Sequence, residues 1–239
     1  ASSGLPSAAE LAILNPLRGQ IPAEVFTETY AAPSTKEKSL RDNLRAANKI
    51  LDAAGWQFGA DRIRTKNGVR LEMEILIVQP SFLRIVSPFV RNLKRIGVDA
   101  SVRQIDVPSY IERLSKFDFD MIVASYRQSD SPGNEQVAFF GSSAANVPQS
   151  RNVAGLANPA IDSIINQLIN TTSREKLVTA THALDRVLLW NYIVIPQWYV
   201  DYDRYVYWNR FGIPKKTPKS GAAFITWWID PQKDRALNR

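Results

Sequence analysis

The sequence predicts an α/β fold, a mainly parallel sheet flanked by helices. Two observations carry the prediction. Between Leu71 and Ser125 the apolar pattern switches in the order strand, helix, strand, helix, strand, with short connections, and strands joined in that way run parallel through right-handed crossovers. The chain is also long and apolar enough to cover such a sheet: its 239 residues, 45% of them hydrophobic, suffice for one large domain or two small ones.

Residues 1 to 34 hold Pro6, Pro16, Pro22 and Pro33 and read as an irregular lead-in with one short helical stretch, Ser7 to Leu14. Ser34-x-x-Glu37 then has the form of a capping box. Leu40, Leu44, Ala47, Ile50, Leu51 and Ala54 follow at helical spacing until Gly55. Trp56 to Gly68 is polar and turn-rich, and Leu71 to Val78 reads as a strand. Ser81 is placed to cap a second helix with the apolar stripe Phe82, Ile85, Val86, Phe89, Val90, Leu93 and Ile96. Pro88 lies inside that helix and removes one backbone hydrogen bond from it. Val98, Ala100 and Val102 alternate in a second strand, Asp106 caps a short helix, and Phe119 to Ser125 has the β-branched, apolar composition of a strand covered on both faces.

Beyond that strand, Asn134 to Phe140 reads as a short helix. Asn158-Pro159 is a cap with proline in the first helical position, and Thr172-x-x-Glu175 is a second capping box ahead of a long helix ending near Trp190. Ile193 to Val200 is a strand candidate that Pro196 pushes toward a sheet edge or a bend. From Trp190 to Trp228 lie twelve of the 24 aromatic residues and five of the six tryptophans. At this density aromatics either cover a core or form a gripping surface.

The residue types narrow the chemistry. With no cysteine and one histidine, His182, thiolate catalysis and Cys-bound zinc are excluded and no cofactor is expected. A phosphate-binding glycine loop, a G-x-S-x-G elbow and metal-ligand spacings are all missing. His182 sits on the long helix beside apolar positions, where a structural role outweighs that of a base. A hydrolase using paired carboxylates, with Asp118, Asp120 and Asp130 as candidates, remains the alternative to a binding protein. The net charge of +7 is spread along the chain among acidic residues rather than gathered in a run, so no nucleic-acid partner is expected. No run approaches the roughly 18 apolar residues of a membrane span.

The binding reading centres on Tyr126 to Asn134, the loop after the strand Phe119 to Ser125, because ligands of parallel α/β sheets meet the loops beyond the carboxyl ends of strands. There Tyr126 can stack, Arg127 can pair with a carboxylate, and Asp130 can accept from an ammonium, with Gln128 and Asn134 beside them. Such a set matches the two ends of a peptide or another zwitterion. The residue types equally allow Asp130 or Ser131 to cap the next helix while Arg127 faces water.

Several stretches together, FDMIVASYRQSDSPGNEQ, KSLRDNLRAANKILDAAGW, RIVSPFVRNLKRIGV and RNVAGLANPAIDSIINQLINTTSREKLVTATHALDRVLLWNYIVIPQWYV, resemble the carboxy-terminal half of the extracellular solute-binding proteins of peptide ABC importers, in particular a YejA-like subgroup associated with oligopeptides and microcin C. The resemblance runs from about Pro6 to Pro231 and implies a type II periplasmic clamshell. Residues 35–190 would form its α/β second lobe. Residues 1–34 and 191–239 would supply hinge and partial first-lobe segments, the latter with an aromatic-rich remnant. A complete member is more than twice this length, so the resemblance implies a carboxy-terminal fragment, or one piece of a processed protein, lacking most of the first lobe. The family's peptide-contacting loop often carries Trp and, three residues on, Asp. Here the aromatic is Tyr126 and the acid, Asp130, stands four residues on, which shifts weight to Arg127. The returning segment places Gln197, Trp198 and Tyr199 near the hinge, facing the cleft. The implied partners are an oligopeptide or peptide-like ligand and an inner-membrane ABC permease. The implied location is the periplasm of a Gram-negative bacterium, as a soluble protein with no catalytic role.

Overall fold

The computed structural model describes residues 1–197, 202, 204–216 and 223–237. The chain divides into two compact units, 1–194 and 195–239.

In the first unit, residues Ala8–Leu14 form α1. Its capping box is complete: the Ser7 hydroxyl accepts from the Glu10 amide, and the Glu10 carboxylate accepts from the Ser7 amide at 2.6 Å. A short α2, Glu24–Thr27, follows. The next helix, α3, spans Leu40–Ala53 and starts later than the Ser34 capping box predicts. Ser39 supplies the cap instead, accepting from the Asp42 amide, while the Ser34 hydroxyl is used in a local turn by the Lys36 amide.

Trp56 to Gly68 contains more order than its polar composition suggests. Three short antiparallel strands, β1 (Gln57–Phe58), β2 (Arg64–Lys66) and β3 (Val69–Arg70), pair in sequence. They are held from within by the Arg64 side chain, which is fully buried.

The parallel sheet is built from β4 (Glu72–Ile77), β5 (Asp99–Gln104) and β6 (Met121–Ile122) in the spatial order β5-β4-β6. Glu72 to Ile77 pair in register with Asp99 to Gln104, and Ile75 and Leu76 pair with Met121 and Ile122. The crossovers are α4 (Leu83–Arg95) and α5 (Val107–Ser115). Asp106 caps α5 as its sequence indicates, accepting from the Ser109 amide. Ser81 does not cap α4: Pro80–Phe82 form a 3₁₀ turn that leads into the helix, and Pro88 stays inside it. The strand expected over Phe119 to Ser125 shrinks to Met121–Ile122, which are half-buried, while Val123 is exposed. As an edge strand it has one neighbour, and the Asp120 carboxylate substitutes for a ladder partner by accepting from the Glu74 amide at 2.8 Å.

One face of this sheet is covered by two helices. Ile75 and Ile77 pack with Val86, Phe89 and Val90 of α4, and Leu71 and Met73 join Leu44, Ala47 and Leu51 of α3 around Ile96, Val98 and Ala100. The alternation predicted for Leu71, Met73, Ile75 and Ile77 puts them on this shared face.

A helical layer completes the unit: α6 (Glu135–Phe140), α7 (Pro159–Ile169) and α8 (Arg174–Trp190). Asn158 caps α7 with Pro159 in the first position as predicted. For α8 the cap is Ser173, one residue beyond Thr172. These helices share one core with α1 and α2, in which Leu14, Val25, Ile161, Ile164 and Val187 have no exposed surface. Burial of each contributes about 1.5–3 kcal/mol. The lead-in segment is therefore part of a core rather than a loose arm.

In the second unit, β7 (Phe211–Gly212) pairs antiparallel with β8 (Trp228–Ile229), and α9 spans Pro231–Leu237 behind Asp230, whose carboxylate accepts from the Gln232 and Lys233 amides. Its aromatics pack on one another: Trp227 lies 4.8 Å from both Tyr207 and Phe224, centre to centre. Residues 193–197 of the strand candidate Ile193 to Val200 adopt no strand, and 198–200 lie outside the described residues.

Gly97 shows how closely the small antiparallel strands meet the parallel sheet. Its φ of +85° is left-handed, and a Cβ there would lie 2.6 Å from both the Arg64 Cγ and a Phe58 ring carbon. Gly97→Ala is expected to lower the unfolding free energy by about 2–3 kcal/mol, through backbone strain and displaced neighbours. Urea titration of variant against parent measures this.

Candidate functional site

The loop from Val123 to Asn134 leaves the carboxyl end of β6, on the edge of the sheet where β4 and β5 also end. Three contacts give it shape. Tyr126 turns inward and is half-buried, 5.4 Å from Phe139 in an edge-on contact and 5.1 Å from Phe140, and burial holds its phenol above the ordinary value. The Gln136 side chain, buried at the start of α6, donates to the Gln128 side-chain oxygen at 2.6 Å. Arg174, the first residue of α8, donates to the Asp130 carbonyl and, at 3.3 Å, to the Ser131 hydroxyl.

What the loop displays is a pair of opposite charges. Arg127 and Asp130 are both exposed, and neither side chain has a hydrogen-bond or ion-pair partner among the described residues. The capping alternative is not taken: the residue before α6 is Asn134, exposed and making no side-chain cap, and neither Asp130 nor Ser131 serves the helix. Glu135 turns back instead to accept from the Gly133 amide at 2.9 Å. Its partial burial is outweighed by its own and the Gly133 amide bonds, and its carboxyl lies below the ordinary range.

A cavity of about 380 Å³ opens between the loop and α8, with Gln128, Asp130, Arg174 and His182 at its polar rim and Leu184 and Leu188 among its apolar walls. His182 stands 4.0 Å from Glu10 and is partly exposed. The two other acids considered for catalysis are tied into the scaffold: Asp118 pairs with Arg113 at 2.9 Å, and Asp120 holds the Glu74 amide. Among the described residues no cluster of three His, Cys, Asp or Glu side chains is arranged to hold a metal ion.

Of the sequence-predicted site residues, the structure thus brings Tyr126, Arg127, Gln128, Asp130 and Asn134 onto one loop, with Tyr126 as its anchor rather than an exposed stacking platform. Gln197 belongs to the second unit, where it is exposed and its side-chain amide donates locally to the Ile195 carbonyl at 3.5 Å. Trp198 and Tyr199 lie outside the described residues. Arg174 and Gln136, which fix the loop, are missed by sequence reasoning, because Arg174 is 44 residues from the carbonyl it binds and no local pattern marks it.

Residues 16–147, just over half of the chain, match the family model for the middle region of bacterial extracellular solute-binding proteins, family 5. The chain belongs to this family. Among related solute-binding proteins, the probable peptide-binding protein YejA of Agrobacterium fabrum is 42% identical over 231 residues, covering 95% of this chain and 38% of the relative. YejA of Escherichia coli is 36% identical over 240 residues, 99% of this chain and 39% of that one. The chain thus spans about two-fifths of the length of these curated relatives. The fold is shared with the Bacillus subtilis oligopeptide-binding protein AppA, solved with a nonapeptide, at a TM-score of 0.57 and 17% identity over 77% of this chain and 38% of that one. It is also shared with a periplasmic oligopeptide-binding protein of Thermotoga maritima, solved with mannohexaose, at 0.59 and 21% over 68% and 33%. The parallel sheet and its helices are accordingly those of a type II periplasmic binding protein, seen in part. No helix among the described residues is long and apolar enough to cross a membrane.

Proposed function

We propose that the chain is part of the substrate-binding component of a peptide ABC importer, which captures oligopeptides between two lobes in the periplasm and delivers them to an inner-membrane permease. The observation that carries this reading is the unpartnered pair Arg127 and Asp130, held beyond the carboxyl end of the sheet on a loop that Tyr126, Gln136 and Arg174 keep in place. A peptide presents one carboxylate and one ammonium. Arg127 meets the first through a two-pronged hydrogen bond and Asp130 the second, while Gln128 and Asn134 serve the backbone. Preordering of the loop lowers the entropy lost on binding, and closure of the facing lobe removes the ligand from water.

The full-length protein, titrated calorimetrically with mixed di- to decapeptides, is expected to release heat and saturate. Arg127→Ala is expected to weaken binding about 10- to 100-fold, the range of a charged hydrogen bond of about 1.5–3 kcal/mol. Asp130→Asn should act on peptides with a free amino end and spare those acetylated there. Absence of heat with every peptide, from a folded protein, overturns the proposal, as does peptide turnover that disappears with Asp118, Asp120 or Asp130.

A further inference from the structure

Helix α4 holds an unusual share of the chain's charge. It carries Arg84, Arg91, Lys94 and Arg95 and no acidic residue, so that thirteen residues supply a charge of +4 in a chain whose net charge is +7. All four are exposed. At 100° per residue, Arg84, Arg91 and Arg95 fall within about 40° of one another and span roughly 16 Å of the helix axis, with Lys94 beside them. The opposite arc, Val86, Val90 and Leu93, packs on the sheet.

Elsewhere in this unit several cations are matched by more than one acid or by a neighbour one helical turn away. Arg70 contacts Asp61, Glu72 and Asp99; Arg113 contacts Glu74 and Asp118; Lys116 contacts Glu112. On α4 no ion pair forms among the described residues, and the nearest thing to one is a 3.4 Å bond from Arg95 to the Asn92 side-chain oxygen. Three guanidinium groups in a row repel one another, and an anionic surface relieves that repulsion.

We infer that this face of α4 docks on an anionic phospholipid surface. The pattern favours lipid over a protein partner for a stated reason. Protein interfaces centre on an apolar patch with charges at the rim, whereas between these cations lie Ser87, Pro88 and Asn92. The surface is also a convex helix rather than a groove, so it suits a plane of phosphates. Association is then electrostatic, without insertion, and each cation near the headgroups contributes about fivefold in partition.

The test is co-sedimentation of the chain with vesicles of phosphatidylcholine and phosphatidylglycerol in equal parts, against vesicles of phosphatidylcholine alone. The expected result is binding to the mixed vesicles only, lost as salt shortens the screening length. The triple variant R84Q/R91Q/R95Q should lower the partition about 100-fold. A control with the same loss of charge elsewhere, R62Q/K66Q/K176Q, should lower it no more than a few-fold, with circular dichroism confirming that both fold. Equal losses in the two triple variants, an unchanged R84Q/R91Q/R95Q, or no binding to mixed vesicles at low salt each overturn the inference. In the last case, retention on an immobilised acidic polypeptide that R84Q/R91Q/R95Q abolishes would assign the stripe to a protein partner instead.

Discussion

Arg64→Ala is expected to destabilise the first unit by about 3–5 kcal/mol, the range for removing one member of a buried, hydrogen-bonded charge network. The guanidinium has no exposed surface. Its Nε donates to the Ile96 carbonyl at 2.8 Å, Nη1 to the Trp56 carbonyl and to Asp52 at 2.7 Å, and Nη2 to the Asn48 side-chain oxygen at 2.8 Å, while the group lies 4.1 Å from the Phe58 ring centre. One side chain thus ties α3, the small antiparallel strands and the end of α4 into a single body. The ion pair is the lesser part of this, because Asp52 is 63% exposed and a pair with one partner in water contributes under about 1 kcal/mol. The larger part is the buried Ile96 carbonyl, which alanine leaves without a donor at about 1–3 kcal/mol, with a smaller share from the part-buried Trp56 carbonyl. Asp52→Asn is therefore expected to cost less than about 1 kcal/mol, and Arg64→Lys to fall between, since an ammonium does not reproduce the fork. Urea unfolding of the three variants ranks them. If Arg64→Ala loses no more stability than Asp52→Asn, the carbonyl account is wrong.

Arg64 also marks where the sequence stops being readable. The helices were legible because their stripes and caps are local: Asp106, and Asn158 before Pro159, serve as their spacing indicates. The capping-box spacing at Ser34 and at Thr172 misplaces the first turn, because the hydroxyls that reach the free amides are those of Ser39 and Ser173. The small strands between Gln57 and Arg70 escaped notice because each is two or three residues long and is stabilised by a single buried arginine rather than by alternation. Met121–Ile122 is shorter than its apolar run because β6 has one neighbour and a side chain, Asp120, completes the pairing. The candidate loop followed the same division. Arg127 and Asp130 were visible as residue types beyond a strand, but whether Asp130 caps a helix depended on Asn134 and Arg174, which only the tertiary fold brings to bear.

Glu10→Ala is the second substitution expected to cost about 3–5 kcal/mol, because it strands a buried arginine. Arg186 on α8 is 5% exposed and Glu10 4%. The Arg186 Nε donates to the Glu10 carboxylate at 2.9 Å, and its other nitrogens donate to the Ser3, Gly4 and Leu5 carbonyls at 2.6–3.2 Å. The first residues of the chain are thereby fastened to a helix more than 170 positions away. Burial alone would raise the Glu10 carboxyl, but the Ser7 amide and the Arg186 guanidinium outweigh it and hold the group below the ordinary glutamate range. The unfolded chain therefore binds this proton more tightly than the folded one. The contribution is fully present above the ordinary glutamate pKa of about 4.3 and is lost as pH falls through the lower folded value. Glu10→Gln keeps an acceptor for Arg186 and removes the titration, so its thermal midpoint should lie below that of the parent at pH 7 and approach it in acid. A gap between parent and Glu10→Gln that stayed constant or widened on acidification would show that the carboxylate charge is not what secures the amino-terminal segment to α8.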